Sequence, residues 1–331
     1  MKNLRTQKEI ISGWKQGIES PVVSICCTTY NHARYVVDAL EGFLIQETDF
    51  PFEILIHDDA STDGTADVIK RYEVEYPQII KSISQEENQY SRGVKPNLAF
   101  NFSRAKGEYI ALCEGDDYWV SPEKLQIQVN RMRKNPDCSL SFHRSKIDQS
   151  YDLGVKEELT RNFGVEGVLD LKGLFFEGGS SASTASMLFR ANILNEIPRF
   201  YEISPVGDMP LKLMCSMQGG IYYLPEIMSV RRLGVPGSWN IRTRLNKAAQ
   251  FSYLNSMVAM LDEFDRYTDY AWSLEVQREL VVYTIKLNRL GLSPWVRVKD
   301  KYPLYWACLD LKGKLILTLR LIKARIGNPG K

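Results

Sequence analysis

Residues 109–119 read YIALCEGDDYW: a short apolar run, three carboxylates around one glycine, and two aromatics. The run is too short for a helix and has no polar alternation, so Tyr109–Cys113 reads as a strand buried on both faces. Its polar chemistry is confined to the carboxyl end, Glu114–Asp117. The same design recurs upstream. Val22–Tyr30 is a strand ending in TTYN, and Phe52–Asp59 is a strand running into HDDAST. Helical segments are predicted between them at Arg34–Gln46, Asp63–Tyr76 and Pro96–Ala105, with a further strand at Ile79–Gln85. Downstream, Ser121 is the expected N-cap and Pro122 the first residue of a helix through Arg133. Strand and helix alternating at this spacing imply an α/β fold with a mainly parallel, doubly wound, Rossmann-like sheet. Ligands of such sheets bind beyond the carboxyl ends of the strands, where these three polar motifs converge.

The rest of the chain is less regular. CSLSFHRS, from Cys138, reads as a strand, Gly154–Gly167 as a polar loop, and GGSSAST as the approach to a short strand, SMLFR. Asp208–Gln218 is helical, Ile221–Leu233 is a strand interrupted by Pro225, and GVPGSWNIRTR is a Gly- and Arg-rich loop. Two long helices are predicted, about Thr243–Tyr267 and Ala271–Gly291. The expected division is a catalytic domain over 1–240 and a helical extension over 241–331.

Composition excludes several classes. The 331 residues carry 42 Lys+Arg and 40 Asp+Glu, with 44% apolar and 25% charged residues, an ordinary globular balance that excludes wholesale disorder. No run of about 18 apolar residues occurs, and the amino-terminal stretch has no apolar core of a signal peptide. The six cysteines form no C-x-x-C pair, so reduced, buried thiols and a cytoplasmic setting are expected. No two of the three histidines have zinc-ligand spacing. G-x-S-x-G, G-x-G-x-x-G and the P-loop pattern are all absent.

Each polar motif has a chemical and an ordinary reading. Glu114 and Asp116, spaced i, i+2 at a strand end, would point the same way and approach one hard cation, or simply cap the next helix. Asp58 and Asp59 could accept hydrogen bonds from a base or ribose, or cap a helix. Asp208 is a carboxylate at a helix start. Arg231, Arg232 and Arg242 could pair with phosphates, or form a solvated basic face.

The order of these motifs resembles the family 2 glycosyltransferases, an inverting group with the GT-A fold of nucleotide-diphospho-sugar transferases. The resemblance rests on VSICCTTYNHARYV, FEILIHDDASTDGTADVI, NLAFNFSRAKGEYIALCEGDDYW with SPEKL after it, VGDMPLKL, and RRLGVPGSW, covering about Pro21–Trp239. It implies an inverting transfer from a nucleotide-sugar, most commonly a UDP-sugar, to a glycan or lipid-linked acceptor in cell-envelope polysaccharide synthesis. Thr28 and Tyr30 match base-holding positions, and Asp58 and Asp59 the pair recognising base and ribose. Asn88 and Asn97 fall in the stretch lining the donor site. Glu114 and Asp116 match the D-x-D motif, with Asp116 the direct ligand of Mn²⁺ or Mg²⁺. Asp208 matches the general base, and Arg232 and Ser238 a lid contacting the pyrophosphate. Gly234 stands where a histidine is common in that lid.

Two rivals remain. A sugar nucleotidyltransferase would carry a Gly-rich basic loop after the first strand, which TTYNHARY lacks. A non-catalytic nucleotide-sugar or glycan-binding module would need neither Asp116 nor Asp208. Charge is divided unevenly: 33 Lys+Arg against 38 Asp+Glu before residue 293, and nine against two from Ser293 onward. A basic amphipathic stretch with interleaved Trp and Tyr suits an anionic membrane surface, so a peripheral position on the inner face of the cell membrane is expected. Nucleic acid is not expected as a partner.

Overall fold

The structure is a computed structural model that describes residues 4–149, 158–169, 182–236, 238, 243, 246–291 and 298–326. Residues 154–157, 178–181 and much of the GVPGSWNIRTR segment, with Arg242 and Trp295, lie outside these residues. The chain divides into two compact units, one formed by 1–196 and 212–237 and the other by 197–211 and 238–331.

In the first unit the sheet begins with β1 (Val23–Thr29), β2 (Phe52–Asp58), β3 (Ile80–Ser84) and β4 (Tyr109–Glu114). These four are parallel in the order β3-β2-β1-β4. The short β5 (Tyr118–Trp119) follows, then β6 (Cys138–Asp148), β7 (Glu158–Leu159), β8 (Gly167–Leu169), β9 (Leu188–Arg190) and β10 (Gly220–Arg232). β9 is inserted antiparallel between β4 and β6, while β6 and β10 run parallel. The α/β sheet expected from the sequence is therefore present, parallel in its first half and mixed in its second.

The helices of this unit are α1 (Gln7–Ser12), α2 (Val36–Leu44), α3 (Thr65–Glu75) and α4 (Lys124–Lys134). Val36, Ala39, Leu40 and Phe43 of α2 are fully buried, at the spacing of one helix face. Phe43 meets Trp119 edge-on at 4.9 Å. The approach is so close that a Cβ on Gly42 would lie 2.8 Å from the Trp119 backbone N and O, which is why α2 needs glycine there.

Three local expectations are corrected. α4 starts at Lys124, and Ser121 is not its cap. The buried Gln46 does that work instead: its Nε2 donates to Ser121 O at 2.8 Å and its Oε1 accepts from Leu125 N at 3.1 Å. Residues 96–105 form no regular α-helix but a π turn, Asn97–Asn101, running into a 3₁₀ turn, Phe102–Arg104. β10 runs through Pro225 without a break, because register shifts between Leu224 and Ser229 absorb the missing donor. Five cysteines are buried as expected, but Cys308 is exposed.

The second unit holds α5 (Arg199–Ile203) and the first turn of α6 (Asp208–Gln218), then α7 (Lys247–Tyr267), α8 (Ser273–Arg289), α9 (Val298–Lys301), α10 (Pro303–Cys308) and α11 (Leu311–Ile326). Phe200 packs edge-on against Phe264 at 5.2 Å. Gln277 on α8 accepts from the backbone N–H of Leu304 and Tyr305, capping α10. α11 packs against α8.

Candidate active site

Register brings the three strand ends together. Thr28 on β1 is level with His57 on β2 and Glu114 on β4, and Thr29 is level with Asp58. Burial pushes the Cys27 thiol up, and the carboxylates of Asp116, Glu114 and Asp117 push it the same way, so negative charge is concentrated at this edge.

The loops leaving β1 and β2 are stitched to each other. Asn31 N donates to Ser61 Oγ at 2.8 Å, Thr62 N to Asn31 Oδ1 at 2.9 Å, and His32 N to Thr65 Oγ1 at 2.8 Å. Asn31 and Ala60 both take left-handed backbone angles, at φ 57° and 62°. Strain of this kind persists only where surrounding bonds over-determine it, as they do here. Asp58 is buried and accepts from Thr29 Oγ1 (2.8 Å), Ser61 Oγ (2.6 Å) and Ser61 N (3.1 Å). Asp59 accepts from Gln89 N and Tyr90 N, one on each oxygen, while Asn88 Nδ2 donates to its carbonyl. Both aspartates thus shape the loops at the strand ends. Each oxygen has two lone-pair sites, so Asp59 retains capacity for a further donor. Thr28 and Tyr30 are half-buried at the same edge.

At EGDD the strand geometry assumed for i, i+2 spacing does not hold. β4 ends at Glu114, and a turn closed by Asp117 N donating to Glu114 O carries Gly115 and Asp116. Glu114 is exposed and Asp116 is half-buried. Asp117 is buried; burial holds its carboxyl well above the usual range, and Asp116 and Glu114 act in the same direction. Its Oδ1 accepts from Arg232 N at 2.8 Å.

Arg232, which its motif matches to a lid contact, is tied to the carboxylate turn. Its side chain is only 8% exposed. Nη1 donates to Asp116 O at 2.9 Å, Nη2 pairs with Asp38 on α2, and the guanidinium lies over Tyr118 at 4.4 Å and Tyr35 at 5.4 Å. It clamps the last residue of β10 onto the carboxylate turn.

Several contributors were not singled out in the sequence. His32 places Nε2 3.9 Å from Asp116 Oδ2, and its buried Nδ1 has no hydrogen-bond partner among the described residues. Asn101 donates to Cys27 O on β1 and to Asn97 Oδ1, and Arg104 bonds Asn101 Oδ1 and Ile56 O on β2. The π turn is thereby tied to the strand ends, and Asn97 is held with it. Beneath the turn, buried Lys124 donates to Gln128 and lies 3.9 Å over Trp119; burial lowers its pKa to about 7. The signal for the bonds to Cys27 O and Ile56 O is topological, since those partners are 74 and 48 residues away in sequence.

The sequence model described as Glycosyl transferase family 2 matches residues 24–193, from β1 through the strands and turns just described. The chain belongs to glycosyl transferase family 2. Uncharacterized proteins Rv1520 of Mycobacterium tuberculosis and Mb1547 of Mycobacterium bovis are 35% identical over 219 residues, 66% of this chain and 60% of theirs. The match therefore spans less than two thirds of those relatives' length. The putative teichuronic acid biosynthesis glycosyltransferase TuaG of Bacillus subtilis is 34% identical over 132 residues, 40% of this chain and 48% of its own. Among solved structures, S. aureus TarS 1-349 in complex with UDP-GlcNAc superposes with a TM-score of 0.59 at 17% identity, over 91% of this chain and 81% of that one. Mannosyltransferase PcManGT from Pyrobaculum calidifontis, in complex with GDP-Man and Mn²⁺, gives 0.51 at 17% identity, over 97% and 92%. These likenesses establish the GT-A-type fold.

Among the described residues of this family 2 chain, no three His, Cys, Asp or Glu side chains cluster as a metal cage. Mg²⁺ and Mn²⁺ take one or two carboxylates and complete their shell with water and substrate phosphates, so such a cage is not required of them. Asp208, the first residue of α6, and Ser238 belong to the second unit. Tyr283 of α8 is raised far above the usual tyrosine range, chiefly by burial, and the Asp208 charge adds to that rise.

Proposed function

We propose that the protein is an inverting glycosyltransferase that moves a sugar from a nucleoside-diphosphate donor, a UDP-sugar, to a hydroxyl of a glycan or lipid-linked acceptor. The carrying observation is the convergence of the β1, β2 and β4 ends, with their carboxylates, inside a family 2 domain. TarS solved with UDP-GlcNAc and PcManGT with GDP-Man and Mn²⁺ support a nucleotide-sugar donor and a divalent cation. TuaG, a putative teichuronic acid biosynthesis glycosyltransferase, supports a role in polysaccharide synthesis.

In this reading Thr28, Tyr30, Asp58, Asp59 and Asn97 form and line the nucleotide site. Asp116, with Glu114, would hold Mn²⁺ or Mg²⁺, which would supply positive charge against the diphosphate. Asp208 takes the acceptor hydroxyl proton as that oxygen bonds to the anomeric carbon, and the bond to the diphosphate oxygen breaks with its electron pair leaving on the diphosphate. The Asp208 role is supported by its motif, VGDMPLKL, at the head of α6. Ser238 and the loop around it supply diphosphate contacts.

Thermal-shift screening of UDP- and GDP-sugars, with and without Mn²⁺, identifies the donor by a metal-dependent shift. With that donor, Asp208→Asn is expected to lower transfer by about 10²–10⁴-fold while leaving the shift intact. Full transfer by that variant would remove Asp208 from the mechanism. No metal-dependent shift with any nucleotide-sugar would remove the donor assignment.

A further inference from the structure

α11 buries Leu317, Leu321 and Ala324 and leaves another stripe uncovered. Leu311 is 86% exposed, Leu315 60%, Leu319 54% and Ile322 37%. At 100° per residue these four fall within about 80° of arc, roughly 150° around the helix from the buried seam. Lys312 and Lys323, both exposed, sit on one margin of the stripe, and Lys314 sits on the other with Nζ 5.8 Å from the Trp306 ring. From Leu311 to Lys331 the chain has six Lys/Arg and no Asp or Glu. Leu304 on α10, just before, is 49% exposed as well.

Four branched apolar side chains standing in water along one line need a cover, and their flanks restrict what it can be. A second copy docked face to face would bring lysine margin against lysine margin with no acid on the helix to separate them. An acidic protein surface would match the lysines and leave the leucines unexplained. A bilayer containing anionic lipid meets both: acyl chains take the stripe and headgroups take the lysines, whose stems reach outward. No helix among the described residues is long and apolar enough to cross a membrane, so the helix would lie in the interface.

We propose that α11 is an interfacial anchor that docks its Leu311–Leu315–Leu319–Ile322 stripe into an anionic lipid surface. Docking of this kind is independent of the transfer chemistry. The test is co-sedimentation of the full chain with phosphatidylcholine vesicles, with and without phosphatidylglycerol. Wild type is expected to sediment with the anionic vesicles only, and less as salt is raised. Leu315→Ser with Leu319→Ser is expected to abolish sedimentation. Lys312→Glu with Lys323→Glu, which touches only exposed positions, is expected to weaken it at least about tenfold. Circular dichroism of each variant keeps a loss of binding distinct from a loss of fold. Wild type left in the supernatant, equal sedimentation with neutral vesicles, or binding unchanged in both variants would overturn the anchor. So would a wild-type dimer that the serine variant converts to monomer, because the stripe would then be covered by a second copy.

Discussion

Gly115 sits at the tightest point of the carboxylate turn, and replacing it with alanine tests whether that turn is held by packing against β1. An added Cβ would lie 2.4 Å from Thr29 Cγ2, 3.0 Å from His32 Nδ1 and 3.2 Å from Thr29 Cβ. Carbon atoms at rest stand about 3.5–4.0 Å apart, so the methyl overlap exceeds ~1 Å. Thr29 cannot swing away freely, because it is buried and its Oγ1 is bonded to Asp58 Oδ1 at 2.8 Å. Gly115→Ala is therefore expected to cost about 1–3 kcal/mol through overpacking. Thr29→Ser removes the nearest atom while keeping the hydroxyl, and alone costs about 1 kcal/mol for the lost methyl. Combined, the two should be less damaging than their sum by about 1–2 kcal/mol, since the serine leaves only the 3.0 and 3.2 Å contacts. Urea unfolding of the four proteins measures the coupling. If the proposed function holds, Mn²⁺-dependent donor binding should be lost in Gly115→Ala as Asp116 is displaced, and return in the double variant. Strict additivity in stability, with no return of binding, would refute the packing account.

Two further outcomes follow from the same neighbourhood. Arg232→Met removes a nearly buried guanidinium bonded to Asp116 O and stacked between two tyrosines, and should lower stability by about 2–3 kcal/mol. Asp38→Asn should cost under about 1 kcal/mol, because Asp38 is half exposed; equal losses in urea unfolding would contradict this ranking. Lys124 has a folded pKa of about 7 against about 10.4 unfolded, so the unfolded chain binds the extra proton between these values. Stability should rise with pH from about 7 by up to ~1.4 kcal/mol per unit, until about pH 8.5, where ionisation of the unfolded chain's thiols opposes it. Lys124→Met should abolish that rise in unfolding midpoints measured across the window, and a slope unchanged in the variant would count against the buried amine.

The features legible in the sequence are those written in contiguous residues. β1, β2 and β4 declare themselves as apolar runs ending in Thr, Asp or Glu, and the parallel order follows from the helices between them. What was not legible arises where a buried backbone group is satisfied from far away. Ser121 looked like the cap of α4, yet Gln46, at the end of the preceding helix layer, supplies both bonds. Asn101 reaches the Cys27 carbonyl, and a π turn replaces the expected helix. The spacing of Glu114 and Asp116 suggested one shared direction, but the chain turns at Gly115, where only a glycine fits against Thr29.

Carboxylates at strand ends carry a deeper ambiguity, since a ligand and a loop backbone offer the same donors. Asp58 and Asp59 show how it resolves. Their oxygens already hold two hydroxyls and three backbone N–H groups, so they order the loops before any ligand arrives. Asp116 differs: its backbone carbonyl is held by Arg232, while among the described residues its side chain has only the His32 ring 3.9 Å away. A carboxylate whose backbone is clamped and whose oxygens are left to a distant imidazole is arranged for an incoming charge. That physical ground, rather than the letters EGDD alone, supports the proposal of Asp116 as the metal-binding side chain.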